Sequence, residues 1–181
     1  MKINHSTLPL IALMALTRVH HFGSAWSLPD ASLAVFFLAG LCFNSRALMA
    51  VLLLEAGVID YLAISQFNVS DWCISPAYVF LIPTYAVLWL AGRHATLENY
   101  PLVKTVALAA LATSAAFVIS NSSFYLFSGR YAELAPLDYA TAVAQYYLPY
   151  LNSALLYTVT ALAILKTIRF LPATQFNHNK A

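Results

Sequence analysis

The sequence predicts an all-α membrane protein: a bundle of six transmembrane helices with both termini on the cytoplasmic side. Three observations predict it. Of 181 residues, 61% are hydrophobic and only 9% are charged, against roughly half and about a quarter in an average soluble domain. Apolar runs bounded by charges and turn residues recur six times, and lysine and arginine collect on alternate connections. A soluble domain of this size buries only about 70% of its unfolded surface, so seven acids and nine bases are too few to keep its exterior in water. Disorder couples low hydrophobicity to high net charge, and a formal charge of +2 excludes it. Nucleic acid is excluded as a partner because the bases form no cluster on one face.

In chain order the runs are Leu8–Phe22, Ser27–Phe43, Leu48–Phe67, Tyr78–Ala91, Leu102–Ser120 and Leu148–Ile168. Each is predicted as a helix because lipid cannot satisfy free backbone groups, and a crossing takes about 20 mostly apolar residues. The first run also admits a signal-peptide reading, with Lys2 as its basic region, Leu8–Leu16 as its apolar stretch and Gly23-Ser24-Ala25 as the cleavage site. Against that, Arg18, His20 and His21 follow the apolar stretch directly, and cleavage would leave five spans. The second run is short and ends beside Cys42. The third carries Glu55 and Asp60. The fourth, also short, opens at Tyr78, and the fifth and sixth are long. Short spans extend into flanking residues, begin as re-entrant pieces or are tucked behind neighbours. Without repeats or long linkers, residues 1–171 read as one six-helix domain and 172–181 as a polar tail.

Orientation follows from the bases, which cytoplasmic loops retain. With both termini inside, Lys2, Arg46, Arg93, Lys104, Lys166, Arg169 and Lys180 are cytoplasmic, leaving Arg18 and Arg130 outside. The acids divide the opposite way: Asp30, Asp71, Glu133 and Asp138 lie outside, Asp60 near the outer end of the third span, and Glu98 inside.

An ionisable group at membrane depth costs at least about 2.5 kcal/mol and normally faces a cavity or a partner. Glu55 and Asp60 point about 140° apart around a helix, so they are predicted to serve different purposes. Asp60 is the better ligand-site candidate, while Glu55 reads equally as a structural or a functional acid. Arg18 and His21 share a helix face at the outer end of the first span, where Arg18 either snorkels to the interface or joins a site with His20, His21, Trp26 and Asp30. As a metal site this group is weak, since no second His or Cys stands at ligand spacing on the same helix. Two outer connections, Asn68–Tyr78 and Asn121–Tyr131, add Trp72, Cys73, Tyr78 and Arg130. They read either as an aromatic belt or as walls of a pocket for an organic ligand.

Cys42 and Cys73 stand near opposite ends of the predicted bundle, too far apart for a disulfide. Cys42 behaves as a small apolar residue. Cys73 is a thiol in an outer loop, and soft thiolates suit metals and metal cofactors.

Arg18-Val-His-His-Phe22, the segment Leu28-Pro-Asp-Ala-Ser through Gly40, and Asp71-Trp-Cys-Ile-Ser-Pro-Ala-Tyr78 resemble the solitary cobalamin-transporting, S-component-like family of Gram-negative bacteria. That family belongs to the energy-coupling-factor type of vitamin transporter. The resemblance implies an S-component-like fold and uptake of vitamin B12 across the bacterial inner membrane, with cobalamin or a related corrinoid as the transported ligand. It implies that Cys73 ligates the cobalt axially, in the form whose nucleotide base is detached. His21, Asp60 and Tyr78 become lining residues, with Trp72 as a wall and Arg130 as the contribution of the fifth loop. A thiolate opposite cyanide weakens its bond to cobalt, so decyanation of cyanocobalamin at Cys73 is an expected consequence. The first span departs from S-components that dock on a shared coupling subunit through small residues four apart. Here Ala12 is followed by Leu16, and Ala15 by Val19, which argues against an energy-coupling-factor module as partner. No glycine-rich phosphate loop is present. Competing readings are an S-component-like transporter for another vitamin or nucleobase, a membrane enzyme or haem protein using His20, His21 and Cys73, and an assembly subunit without a ligand.

Overall fold

The most apolar stretch of the chain ends up at its centre. A helix that is hydrophobic all round has no face for water and is buried on every side, and Ser32–Leu41 is buried throughout. The computed structural model describes residues 7–18, 28–67, 69–72, 74–95 and 101–170. These form α1 (Leu8–Arg18), α2 (Ser32–Phe43), α3 (Arg46–Phe67), α4 (Leu81–His94), α5 (Leu102–Phe127), α6 (Pro136–Ala144) and α7 (Tyr147–Phe170), with a 3₁₀ turn at Pro76–Phe80. Among the described residues there is no strand. Three stretches, Arg46–Phe67, Leu102–Phe127 and Tyr147–Thr167, are long and apolar enough to cross a membrane, as an α-helical membrane protein requires.

α2 packs chiefly on α4, which in turn packs on α5, and α5 on α7; α1 and α3 lie against α2 and each other. The α2–α4 contact is made by backbone. A Cβ on Gly40 would collide with the carbonyl of Trp89, and one on Gly92 with the carbonyl of Phe37. Two glycines facing each other's helix let the axes approach closely. Phe37, Leu88 and Trp89 are buried around that crossing.

α2 stops at Asn44, which takes a left-handed conformation (φ 47°) and donates its N–H to the Ala39 carbonyl at 3.2 Å. Ser45 then caps α3 by accepting the Leu48 N–H at 3.2 Å. Two residues thus reverse the chain. Before α2, residues 28–31 are irregular yet tied down. The Pro29 and Asp30 carbonyls accept the Tyr157 and Ser153 hydroxyls at 2.8 and 2.6 Å, and the Ala31 N–H donates to Thr17 Oγ1 at 3.1 Å. Irregular backbone inside an apolar bundle requires such partners.

Three boundaries and one added helix stand out against the sequence reading. The second helix begins at Ser32 rather than Ser27, within the described part of that run. The fourth starts as a 3₁₀ turn at Pro76. α5 continues to Phe127, past Ser120, because the polar residues that read as a turn bond back into the helix: Asn121 Nδ2 donates to the Phe117 carbonyl at 2.9 Å and Ser123 Oγ to the Ser120 carbonyl at 2.9 Å. α6 was not anticipated. The outward faces of the long helices are apolar, with Leu54, Val58, Leu111 and Val118 all more than half exposed; contiguous surface of this kind belongs against lipid or protein.

Candidate functional site

At one end of the bundle, α1 finishes, α2 begins, α3 finishes and α4 begins. Arg18, the last residue of α1, is 1% exposed, and its guanidinium fork determines what surrounds it. Nε donates to Asp60 Oδ1 at 2.8 Å and Nη2 to Asp60 Oδ2 at 2.7 Å, a two-point pairing that a planar guanidinium makes with a carboxylate. Nη1 donates to Ser32 Oγ at 2.8 Å and Tyr85 Oη at 2.7 Å, and stands 3.8 Å from Asp30 Oδ2. Asp30 Oδ1 accepts the Ser32 hydroxyl at 2.6 Å and the Ser32 N–H at 2.9 Å, fixing the start of α2. Tyr78 donates its hydroxyl to Asp60 Oδ2 at 2.7 Å. Tyr85 stacks on Phe36 with ring centroids 4.2 Å apart.

Burying a charge pair is favourable only when geometry and additional hydrogen bonds offset desolvation, and this network supplies both. It joins α1, α2, α3 and α4 at one level. The interface-snorkelling reading of Arg18 is thereby corrected: the side chain turns inward because α3 presents Asp60 there, and its head is enclosed. Asp60 and Glu55 stand in different surroundings: Asp60 pairs with Arg18, while neither carboxyl oxygen of Glu55 has a hydrogen-bond partner.

A second group lies on the connections at the same end. The Arg130 guanidinium sits 4.0 Å from the centre of the Trp72 ring, and Phe80 stacks on Phe127 at 4.8 Å. The segment before α4 therefore meets the segment after α5. Beyond this contact, Tyr139 of α6 packs on Tyr125 and Tyr131 and donates its hydroxyl to the Asn121 carbonyl at 3.1 Å. Tyr125 donates to the Leu134 carbonyl at 2.7 Å. Burial, with Tyr131 alongside, pushes the Tyr139 phenol up to about 12. A shallow depression of about 420 Å³ runs along residues 129–134.

Of the predicted site residues, Asp60 and Tyr78 are hydrogen-bonded to each other, and Trp72 and Arg130 form the cation–π pair. His21 and Cys73 lie outside the described residues, as do His20, Phe22, Trp26, Glu98 and the tail from Pro172. Cys42 is half-buried at the end of α2. Among the described residues, no three His, Cys, Asp or Glu side chains gather to hold a metal. Ser32 and Tyr85 escaped the sequence reading. Tyr85 follows Tyr78 by seven residues, nearly two helical turns, a spacing that would have placed both phenols on one face.

Comparison with models of known families gave no match, and comparison with curated proteins gave none. What the described residues define is an all-helical chain, three of whose helices are long and apolar enough to cross a membrane, with a buried ionic network at one end.

Proposed function

We propose that the chain is a six-span protein of the bacterial inner membrane that takes up vitamin B12, with both termini cytoplasmic and the Arg18 end outward. The observation that carries this reading is the Trp72–Arg130 contact. It joins two outer connections, one of which continues in sequence to Cys73, so that a flat ring and a cation meet on one rim. Cobalamin presents a flat, amide-fringed corrin whose cobalt accepts an axial donor. Trp72 and Tyr78 offer aromatic surface to the macrocycle, His21 and Asp60 hydrogen-bonding groups to its amides, and Cys73 the soft donor. Both oxygens of Asp60 are already engaged by Arg18 and Tyr78, so an amide reaching Asp60 shares or displaces one of those bonds. With cyanocobalamin, the thiolate enters on one face of cobalt as the nucleotide base leaves, and cyanide departs from the other face, taking a proton from water. Cobalt keeps its oxidation state.

The exposed face of α1 supports a transporter that works without an energy-coupling-factor module, because Leu16, 79% exposed, stands where a small residue would be needed. The test is the absorption spectrum of purified protein mixed with cyanocobalamin, together with growth of an uptake-deficient, B12-dependent bacterium on scarce cobalamin. The wild type shifts the spectrum and restores growth; Cys73→Ala does neither. Identical spectra and growth for the two proteins refute the assignment.

A further inference from the structure

Glu55 lies on α3 about one and a half turns before Asp60. Both its carboxyl oxygens are shielded from the exterior and neither has a hydrogen-bond partner. α3 packs on α1 and α2. Among the described residues, the charged and titratable groups those elements bring are Arg18 on α1, Asp30 and Cys42 at the two ends of α2, and Asp60 on α3 itself, with Arg46 and Tyr61 of α3 exposed. Among these, Arg18 is the one buried guanidinium, set against three carboxyl groups. Arg18 is committed to Asp60, Ser32 and Tyr85. Asp30, 23% exposed, retains solvent and the Ser32 donors. Glu55 has neither donor nor solvent, and a carboxyl group so placed is costly to hold as an anion.

We propose that Glu55 is the proton-binding site of the transport cycle, holding a proton while Arg18 is locked on Asp60 and releasing it when that pair opens. The proposal rests on the transport reading, because the ligand is what competes for Asp60. When a ligand amide draws Asp60 away, Arg18 loses its two-point partner and keeps only Asp30, at 3.8 Å, as a carboxylate neighbour, and Glu55 is the next acid along α3. The Glu55 O–H bond breaks, the proton passes to water, and the new carboxylate balances the guanidinium. Release of the proton lowers the charge inside the bundle by one, since Asp60 stays an anion held by the ligand amide and Tyr78. Glu55 lies farther from the Arg18 end than Asp60, so its proton leaves toward the cytoplasmic side. Reversal of these steps restores the locked state and takes up one proton from the outer side, so that one proton enters with each ligand.

The full chain, purified and reconstituted into lipid vesicles, provides two measurements. Infrared difference spectra across neutral pH carry the carbonyl stretch of a protonated carboxyl group, absent in Glu55→Gln; identical spectra for the two proteins overturn the proposal whatever the ligand. Accumulation of radiolabelled cyanocobalamin under an imposed inward proton gradient rises about tenfold per pH unit at one proton per cycle. In Glu55→Gln, cobalamin still shifts the absorption spectrum as in wild type, but accumulation ignores the gradient. Gradient-independent accumulation by wild type, or retained dependence in Glu55→Gln, overturns the coupling. Failure of wild type to bind cobalamin at all overturns the transport reading instead, and the infrared spectra then still decide whether Glu55 holds a proton.

Discussion

Asp60→Asn keeps the shape of the side chain and removes the charge on which Arg18 is built. The carboxylate accepts three hydrogen bonds, at 2.8 Å from Nε and 2.7 Å from Nη2 of Arg18 and at 2.7 Å from Tyr78. An asparagine amide has one oxygen to accept them and presents an NH₂ to whichever donors remain. The guanidinium stays buried at 1% exposure, with Asp30 at 3.8 Å as its remaining carboxylate neighbour. At contact distance and an effective dielectric near 20 the pair is worth about 4 kcal/mol, and removing one partner of a buried pair typically costs about 3–5 kcal/mol. For a chain of this size each kcal/mol moves Tm by about 2–4 °C, so Asp60→Asn lowers Tm by about 6–20 °C. The assay is loss of monodisperse protein in detergent after heating, followed by size-exclusion chromatography. The double variant Asp60→Leu with Arg18→Met removes both charges and recovers most of the loss, because an apolar pair replaces a buried ionic one at little cost. A fall in Tm below about 2 °C for Asp60→Asn, or additive losses in the double variant, would show that water reaches Arg18 and that the network is not a buried one.

The close α2–α4 crossing predicts that Gly40→Ala costs about 1–3 kcal/mol by driving a methyl into the Trp89 carbonyl. Gly57→Ala, which meets nothing within 4 Å, gains about 0.5–1 kcal/mol of helix stability; equal Tm shifts would contradict this. Tyr139 has its phenol raised to about 12 by burial beside Tyr131, from about 10 in an unfolded chain. Its contribution is whole below pH ~10 and is lost as pH climbs through ~12, since the unfolded chain releases the proton first. Hydrogen exchange of α6 should rise across that window in wild type and show no such step in Tyr139→Phe. Arg130→Gln removes a cation–π contact worth about 0.5–1 kcal/mol, leaving Tm nearly unchanged while exchange at residues 128–135 accelerates and tryptophan emission shifts; unchanged exchange and emission would refute the link between the two connections.

The helical class was legible because six apolar runs leave few alternatives in a chain so poor in charge. The boundaries were less so. Ser120 through Ser123 looks like a turn in sequence, and only the bonds of Asn121 and Ser123 to preceding carbonyls show that a helix passes through. α6 carried signals that went unused, Pro136 at its start and Asp138 in its first turn. It is only nine residues long, and a search for spans passes over it. In the candidate site, Asp60 and Arg18 were each conspicuous as charges in apolar runs, but their pairing joins residues 42 apart in sequence, and no local spacing encodes such a contact. Tyr85 was hidden among aliphatic neighbours, because a tyrosine in an apolar run reads as filler until its hydroxyl finds a partner.

The reversal at residues 44–45 has a mechanical consequence. α3 is hinged to α2 by two residues at one end and latched to Arg18 through Asp60 at the other. With 22 residues at 1.5 Å each it is a lever about 33 Å long. Asp60 stands about 21 Å along that lever, so a swing of roughly 8° about the turn displaces it by about 3 Å, enough to part every hydrogen bond the latch makes. α2 and α4, locked backbone to backbone at Gly40 and Gly92, have no comparable freedom. The arm that can move therefore carries both Asp60 and Glu55, and the small rotation that unlatches it is concentrated where the ionic network lies.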